Sequence, residues 1–350
     1  MSFAFADTSS LEGASADIPG VPSSAQTPVG LSERSVLAAP PSLLAVKPLI
    51  DVDVLIATRK AEEVRRLFAL EQLEVSWDEA LGTLWTFMRP RGRPSYNLDL
   101  LDDFHAWQRG ILARFVDNPS ELRYLLLGSR TPGVFSLGGD LNLFAEKIHE
   151  RDRGALVAYG KSCVRILHRN MNGLGLPMIT IGLAQGDALG GGFESLLSFN
   201  IIIAEKDARF GFPENMFGLF PGMGAYSLLA RRLGAAMAEE MILSGRMYTA
   251  DEMKDAGLVH IVTEAGQGIE AARDHITRSK RRHTGSRAMF EAARAVAPIS
   301  LAELDRVVEI WADACLELRD RDLKVMQRLV SAQNKLEPVT EPAELASASL

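Results

Sequence analysis

The sequence predicts a mixed α/β fold, because apolar runs of strand length alternate with helical patterns through the middle of the 350-residue chain. Two of the runs, RYLLL at 123–127 and MITIGLA at 178–184, are continuously apolar. This pattern is typical of strands covered on both faces of a sheet. Helical periodicity at 154–171 separates them, and from Gly268 onward the pattern is helical.

The elements around these runs follow the same logic. Residues 73–90 predict two strands joined by a turn around Asp78–Gly82. Leu98 to Phe115 shows helical periodicity that ends before Asp117–Pro119. Downstream of MITIGLA we expect a short helix at 193–198, a strand at 200–204, helices at 225–233 and 236–243, a strand at 258–264, and helices at 269–280, 286–296 and 300–334.

Composition divides the chain into four parts. Residues 1–50 are rich in Ser, Ala, Pro and Gly, which predicts a disordered tail, with a docking peptide as the alternative. Residues 51–267 are predicted to form the α/β core. Residues 268–335 are predicted to form a C-terminal helical region in which Ser300 is an N-cap, and 336–350 a flexible tail.

Charge and cysteine usage restrict the functional class. A net charge of −7 argues against nucleic acid or an anionic membrane as the main partner. Cys163 and Cys315 stand in no metal-ligand spacing and are predicted to be core residues in a reducing compartment. The sequence contains no apolar run long enough for a membrane span and no signal-peptide pattern at its N-terminus. These observations predict a cytoplasmic protein.

Two glutamates are candidates for acid/base chemistry. Glu194 follows GGGF at the start of a predicted helix, and Glu214 follows Phe212–Pro213 in a predicted turn. Taken singly, each has an ordinary explanation, since a helix dipole favours a first-turn carboxylate and loops carry solvated charges. Two carboxylates beside a close-approaching glycine backbone are also the groups that general acid/base catalysis requires.

Two glycine-rich turns strengthen the catalytic interpretation. Ser136–Asp140 follows RYLLL, and Leu189–Gly192 follows MITIGLA, each before a predicted helix. Backbone N–H groups at such turns bind anions, and two converging turns form an oxyanion hole for an acyl oxygen. A phosphate-binding loop and a simple tight turn are the alternatives, although GGGxE fits neither the dinucleotide nor the Walker pattern. Arg89, Arg91 and Arg93 are either phosphate ligands of a carrier or a solvated basic loop.

In combination, these motifs resemble the crotonase (enoyl-CoA hydratase/isomerase) superfamily. The matching segments are FSLGGDL at 135–141, QGDALGGGFE at 185–194, FGFPENMFGLFPGMGA at 210–225 and SGRMYTADEMKDAGLVHIV at 244–262. The resemblance covers roughly residues 71–335. It implies a crotonase-like ββα spiral core followed by a C-terminal helical trimerisation region.

Within the superfamily, the chain is most similar to the diffusible signal factor synthases of Gram-negative bacteria. LGTLWTFMRPRGRPSYN at 81–97 and ELDRVVEIWADACLEL at 303–318 contribute to this narrower resemblance. It implies synthesis of a cis-2-unsaturated fatty acid used in quorum sensing, by dehydration of a 3-hydroxyacyl thioester on acyl carrier protein and hydrolysis of that thioester. The alternatives are a 2-enoyl-CoA hydratase or isomerase of fatty acid metabolism and a non-catalytic member that binds a regulator.

The resemblance also assigns individual residues. It places the catalytic carboxylates at Glu194 and Glu214, and the oxyanion donors at the N–H groups of Gly139 and Gly191. Which glutamate is the acid and which is the base stays open. The implied substrate-binding residues are Gly138, Leu189, Met223 and Trp311. A long acyl chain also requires an apolar tunnel, and the residues suited to line it are Leu189, Phe217, Leu219, Phe220, Met223 and Trp311. Simple core packing is the alternative for each of them.

The same resemblance implies the partners. The substrate is a long-chain 3-hydroxyacyl thioester on acyl carrier protein or CoA, and no metal or other cofactor is implied. Family members of this kind usually form trimers, often paired into hexamers, through the C-terminal helices, and a contact with a sensor kinase is a further implied partner. Chain length and branching of the acyl group stay open.

Overall fold

An antiparallel hairpin forms one edge of the main sheet in the computed structural model, which describes residues 62–64 and 66–333. Its strands are β1 (Leu73–Asp78) and β2 (Thr83–Met88). The Leu81 N–H donates to the Asp78 carboxylate at 3.1 Å, and Gly82 takes φ +60°, which suits glycine. The predicted strand–turn–strand segment is therefore confirmed.

Four further strands extend the main sheet in parallel from β2. They are β3 (Tyr124–Ser129), β5 (Ile179–Ala184), β7 (Ile201–Glu205) and β10 (Ile261–Thr263). The order across the sheet is β1-β2-β3-β5-β7-β10. Every residue of β3, β5 and β7 is buried, as the continuous apolar runs predicted.

A second sheet consists of short strands. They are β4 (Gly133–Ser136), β6 (Gly186–Leu189), β8 (Arg209–Gly211) and β9 (Tyr248–Thr249). β4, β6 and β8 pair in parallel, and β9 pairs antiparallel with β8. The sequence predicted none of these four strands, because strands of two to four residues show too little periodicity to be recognised.

The helices surround these sheets. The main ones are α1 (Leu98–Phe115), α2 (Leu141–His149), α3 (Arg153–Met171), α4 (Gly191–Leu197), α5 (Ala225–Leu233), α6 (Ala235–Leu243), α7 (Ala250–Asp255), α8 (Gly268–Ser279), α9 (His283–Val296), α10 (Leu301–Glu317) and α11 (Asp320–Gln333). In the described part of the chain, no helix is long and apolar enough to cross a membrane.

The chain passes three times from the main sheet to the second sheet and then into a helix. The three passages are β3–β4–α2, β5–β6–α4 and β7–β8–α5. This strand–strand–helix repeat agrees with the spiral core that the resemblance implied. It is a repeat of backbone path rather than of residues, which is why the sequence shows no clear internal repeat.

The core lies on both faces of the main sheet. In β3, Leu125 and Leu127 join a large apolar cluster on one face, whereas Tyr124 and Leu126 join a smaller one with Ile276 of α8. Alternate residues of one strand are therefore buried on opposite faces, which explains why the strand is apolar throughout. The two predicted core cysteines, Cys163 and Cys315, are buried and free.

The C-terminal region is helical, but the predicted helix 300–334 is wrong in one respect. Its backbone becomes extended at Leu318 (φ −61°, ψ 140°), which separates α10 from α11. Ser300 caps α10 as predicted, with its Oγ accepting from the Glu303 N–H at 3.1 Å. The predicted tails at 1–50 and 336–350 lie outside the described residues.

Candidate active site

Glu194 lies in the first turn of α4 and is 1 % exposed. Its Oε1 accepts hydrogen bonds from the N–H groups of Met223, at 2.8 Å, and Ala225, at 2.9 Å. These two donors lie at the start of α5. The loop that follows Glu214 therefore fixes the carboxylate of Glu194. Two parts of the chain that are about 30 residues apart in sequence therefore meet at Glu194.

Glu214 lies in the 3-10 turn Pro213–Phe217 and faces the glycine-rich turn before α4. A Cβ atom on Gly190 would lie 2.1 Å from the Glu214 Oε1, and Gly190 has φ +50°. Only glycine fits there, because both the conformation and the space exclude a side chain. The Glu214 residue is partly exposed, yet its Oε2 is buried and has no hydrogen-bond partner among the described residues.

The two carboxylates share a low-dielectric environment. Burial raises the pKa of Glu194 to about 8, with a further increase from the charge of Glu214, while the Ala225 and Met223 N–H groups oppose the shift. Burial also raises the pKa of Glu214 to about 7. Near neutral pH the pair therefore retains a proton, which is the condition for one carboxyl group to act as an acid while the other acts as a base.

The two glycine-rich turns are in direct contact. A Cβ atom on Gly138, which has φ +88°, would lie 2.7 Å from the Leu189 carbonyl oxygen and 2.8 Å from the Gly191 nitrogen. The backbones approach so closely because neither Gly138 nor Gly191 carries a side chain. No acceptor is found among the described residues for the N–H groups of Gly139 and Gly191. Both amides are therefore available to a ligand oxygen.

A cavity of about 30 Å³, here called the site cavity, brings these groups together. Its lining consists of Gly139, Leu141, Phe144, Tyr159, Gly160, Gly191, Glu194, Glu214, Phe217, Leu219, Gly222, Met223 and Trp311. Both predicted carboxylates, both predicted oxyanion glycines, Met223 and Trp311 are among them. Gly138 and Leu189, predicted as substrate-binding residues, are outside this lining and pack against each other.

Tyr159 of α3 lines the site cavity, and the sequence did not single it out. Its hydroxyl donates to the Tyr96 carbonyl at 2.6 Å and accepts from the Asp140 N–H at 3.2 Å. Within the helical pattern of 154–171, Tyr159 is indistinguishable from an ordinary core residue. Its role depends on tertiary contacts, so no local sequence signal was available to reveal it.

The basic loop is explained by contacts within the chain. Arg89 and Arg91 form exposed ion pairs with glutamates, whereas the Arg93 side chain is 9 % exposed and its Nη2 donates to the Asp140 Oδ1 at 2.8 Å. The same oxygen of Asp140 caps α2 by accepting from two backbone N–H groups. Arg93 therefore anchors the first glycine-rich turn. The sequence had suggested either a phosphate ligand or a solvated loop residue, and the structure favours neither for Arg93.

Comparison with known proteins agrees with this architecture. The family model for enoyl-CoA hydratase/isomerase matches residues 84–332, more than half of the chain. The mouse (Mus musculus) mitochondrial methylglutaconyl-CoA hydratase is 33 % identical over 165 residues, which are 46 % of this chain and 50 % of that protein. The chain spans about half the length of the curated relatives it matches.

Solved structures show the same fold at low sequence identity. An enoyl-CoA hydratase of Geobacillus kaustophilus HTA426 superimposes with a TM-score of 0.56 and 22 % identity, covering 77 % of this chain and 96 % of that chain. The Pseudomonas aeruginosa protein DspI gives a TM-score of 0.55 and 22 % identity, with 75 % and 95 % covered. At this level of identity the likeness concerns the fold.

Proposed function

The chain belongs to the enoyl-CoA hydratase/isomerase family and has the crotonase fold, and from this premise we propose that it dehydrates a 3-hydroxyacyl thioester and then hydrolyses the thioester. The product is a cis-2-unsaturated fatty acid that serves as a quorum-sensing signal. One observation carries the proposal: the carboxyl groups of Glu194 and Glu214 line the same cavity as Gly139 and Gly191, and burial raises the pKa of both carboxyl groups. That set of groups is suited to proton transfer next to a developing oxyanion.

In the first step, the thioester oxygen accepts hydrogen bonds from the Gly139 and Gly191 N–H groups. One glutamate removes a proton from C2, and the other protonates the 3-hydroxyl as the C3–O bond breaks. The C2=C3 double bond forms and water leaves. Losing one such oxyanion donor typically costs about 2.7–4 kcal/mol in the transition state.

In the second step, water attacks the thioester carbonyl carbon, which lies in the same oxyanion site. Dehydration leaves the glutamate that donated its proton ionised, so that group is then suited to activate the water. The C–S bond breaks, the departing thiolate takes the proton that the glutamate removed from the water, and the free acid is released. Neither step needs an external oxidant or reductant.

The acyl chain is the part of the substrate that the apolar lining would contact. Leu141, Phe144, Phe217, Leu219 and Trp311 surround the site cavity and offer no ionisable group. The present cavity of about 30 Å³ is too small for a long chain, so entry requires side chains to move apart. Acyl carrier protein is the proposed carrier.

We also propose a homotrimer or hexamer. Met289 and Val296 on α9 are 55 % and 86 % exposed, and α9 buries none of its residues within one chain. A helix with an exposed apolar face in a single chain is typical of a helix that packs against another subunit. The oligomer would be measured by sedimentation of the purified full chain.

A second candidate function is hydration or isomerisation of a 2-enoyl-CoA. The names of the curated relatives favour it, since methylglutaconyl-CoA hydratase acts on a CoA ester by its name. The two candidates differ in carrier, in double-bond geometry and in the release of free acid.

The deciding experiment supplies 3-hydroxyacyl-carrier-protein and 3-hydroxyacyl-CoA side by side to the full chain. Mass spectrometry detects free acid, and NMR of the product determines the double-bond geometry. We expect free cis-2-enoic acid from the carrier-protein substrate. Trans-2-enoyl-CoA without released acid would establish the second candidate instead, and binding without turnover of either substrate would leave a regulatory role.

A further inference from the structure

A second cavity, here called the inner cavity, adjoins the site cavity. It has a volume of about 20 Å³, and Met223 lines both cavities. The residue after Glu194, Ser195, lines the inner cavity, and so does Asn170, which lies on the same helix α3 as Tyr159 of the site cavity. The two cavities therefore lie along the same two helices, α3 and α4, with the Met223 side chain as their common wall.

The residues that line the inner cavity include three whose side chains carry a buried polar atom without a hydrogen-bond partner among the described residues. These atoms are the Tyr96 hydroxyl, the Gln108 Oε1 and the Asn170 Oδ1. The opposite ends of both amides are already engaged. The Gln108 Nε2 donates to the Ile166 carbonyl at 2.9 Å, and the Asn170 Nδ2 donates to the Ser198 Oγ at 2.8 Å. The free amide oxygens are thereby fixed in place.

The third atom is a hydroxyl that is able to donate. Tyr96 lies near the Ser195 and Ser136 hydroxyls, but it forms no hydrogen bond of normal geometry with them. Burial raises the pKa of Tyr96 to about 12, so its proton is retained at neutral pH. The residues that line the inner cavity therefore carry two unpaired acceptors and one unpaired donor.

This set is complementary to water. A water molecule donates two hydrogen bonds and accepts up to two, and it needs a cavity of roughly 10–15 Å³. The end of an aliphatic chain would leave all three atoms unpaired, which is unfavourable for buried polar groups. The volume of about 20 Å³ is enough for one water molecule. Size and polarity thus both favour water over the end of the acyl chain.

We propose that the inner cavity holds the water molecule released by dehydration and returns it for hydrolysis of the thioester. This inference rests on the proposed function. The oxygen leaves C3 as water when the C3–O bond breaks, and the same oxygen later bonds to C1 as the C–S bond breaks. The balance is a 3-hydroxyacyl thioester giving a 2-enoic acid and a thiol, with no net use of bulk water. Met223, a flexible thioether side chain at the common wall, is the group that must move to let water pass.

The test follows the oxygen atom. A 3-hydroxyacyl thioester labelled with 18O in the 3-hydroxyl is mixed with excess protein in unlabelled water for a single turnover, and the released acid is analysed by mass spectrometry. We expect 18O in the product carboxylate. Released acid without label overturns this inference alone, because the hydrolytic water then came from bulk. The absence of any released acid overturns the proposed function and this inference with it.

Variants connect the label to the inner cavity. Gln108→Leu and Asn170→Leu each replace the amide with an apolar group, so the free acceptor and the hydrogen bond donated by the amide nitrogen are both lost. The loss of the acceptor should lower the retained label roughly 2- to 10-fold. Gln327→Leu makes the same chemical change on the exposed surface of α11 and should leave the label unchanged. Tyr96→Phe removes only the hydroxyl and serves if a leucine variant does not fold. Wild-type label retention in the folded variants would overturn the assignment to this cavity.

Discussion

The Tyr159 hydroxyl accepts a hydrogen bond from the Asp140 N–H at 3.2 Å. It also donates to the Tyr96 carbonyl at 2.6 Å, and the Tyr96 N–H donates to the Gly138 carbonyl at 2.8 Å. A single hydroxyl on α3 thereby links the two sides of the turn that presents the Gly139 amide. The position of this proposed oxyanion donor depends on a residue that need not touch the reacting atoms.

We expect Tyr159→Phe to lower kcat roughly tenfold, which corresponds to about 1.4 kcal/mol, with a smaller change in KM. The variant keeps the ring that packs against Phe144, with 5.0 Å between the ring centroids, but loses both hydrogen bonds of the hydroxyl. Steady-state kinetics on the accepted thioester provide the measurement. Tyr226→Phe, at an exposed hydroxyl, is the matched control. Equal kcat values for the two variants would show that Tyr159 does not position the turn.

The carboxylates themselves are tested by Glu194→Gln and Glu214→Gln. Each change keeps the size of the side chain and removes one proton-transfer group, so we expect turnover to fall by about 10²- to 10⁴-fold. Turnover is measured by product formation, and Glu240→Gln, at an exposed position on α6, is the control. Wild-type turnover in either active-site variant would remove that carboxylate from the mechanism.

The raised pKa values predict how activity depends on pH. Below about 7, the base becomes protonated, and above about 8, the acid becomes ionised. Turnover should therefore have a maximum between these pH values. The two apparent pKa values of this profile belong to the coupled pair of glutamates rather than to either residue alone. The measurement is kcat from about pH 5.5 to about pH 9.5, a range that covers both the acidic and the basic side of the profile. A flat profile over this range would contradict a carboxylate pair as the acid and base.

The same shifts predict the stability of the folded chain. The folded pKa of Glu194 is about 8, above the ordinary value of 4.5, so between these values the folded state binds more protons than the unfolded state. The free energy of unfolding therefore falls as the pH rises through this window. Glu194→Gln keeps an oxygen for the Met223 and Ala225 N–H groups and removes the ionisation.

We accordingly expect Glu194→Gln to raise the free energy of unfolding more at about pH 8.5 than at about pH 5, with a difference of at least about 1 kcal/mol. Denaturant unfolding at both pH values is the measurement. Glu240→Gln should show no such difference, because its side chain is exposed. An equal effect of Glu194→Gln at the two pH values would mean that the carboxylate is already ionised in the folded state.

The contact between the two glycine turns is tested by Gly138→Ala. A methyl group there would lie 2.7 Å from the Leu189 carbonyl oxygen and 2.8 Å from the Gly191 nitrogen. Gly133→Ala is the matched control, because Gly133 also has positive φ but has nothing within 4 Å of its added Cβ. We expect about 1–2 kcal/mol of destabilisation for the control and a further 1–3 kcal/mol or so for Gly138→Ala. Similar unfolding free energies for the two variants would show that the turns are not in tight contact.

Long or strongly patterned segments were predictable from the sequence. The helix at Leu98–Phe115 has the predicted bounds, and the strands of RYLLL and MITIGLA are buried as expected. The four short strands β4, β6, β8 and β9 were missed, because two to four residues carry too little pattern. The predicted helix at 300–334 breaks at Leu318, and the sequence has no Pro or Gly there that would indicate a helix end.

By itself, the sequence determined the types of residue available for chemistry: two glutamates beside apolar neighbours and two glycine-rich turns after buried strands. Tertiary structure decided which of them meet. Strand pairing between β4 and β6 brings Gly138 against Gly191, and the loop before α5 holds Glu194 through the Met223 and Ala225 amides. It also added Tyr159, whose hydroxyl links the first turn to Tyr96. These contacts join residues that are distant in sequence, and their energies depend on burial and close approach, which local patterns do not encode.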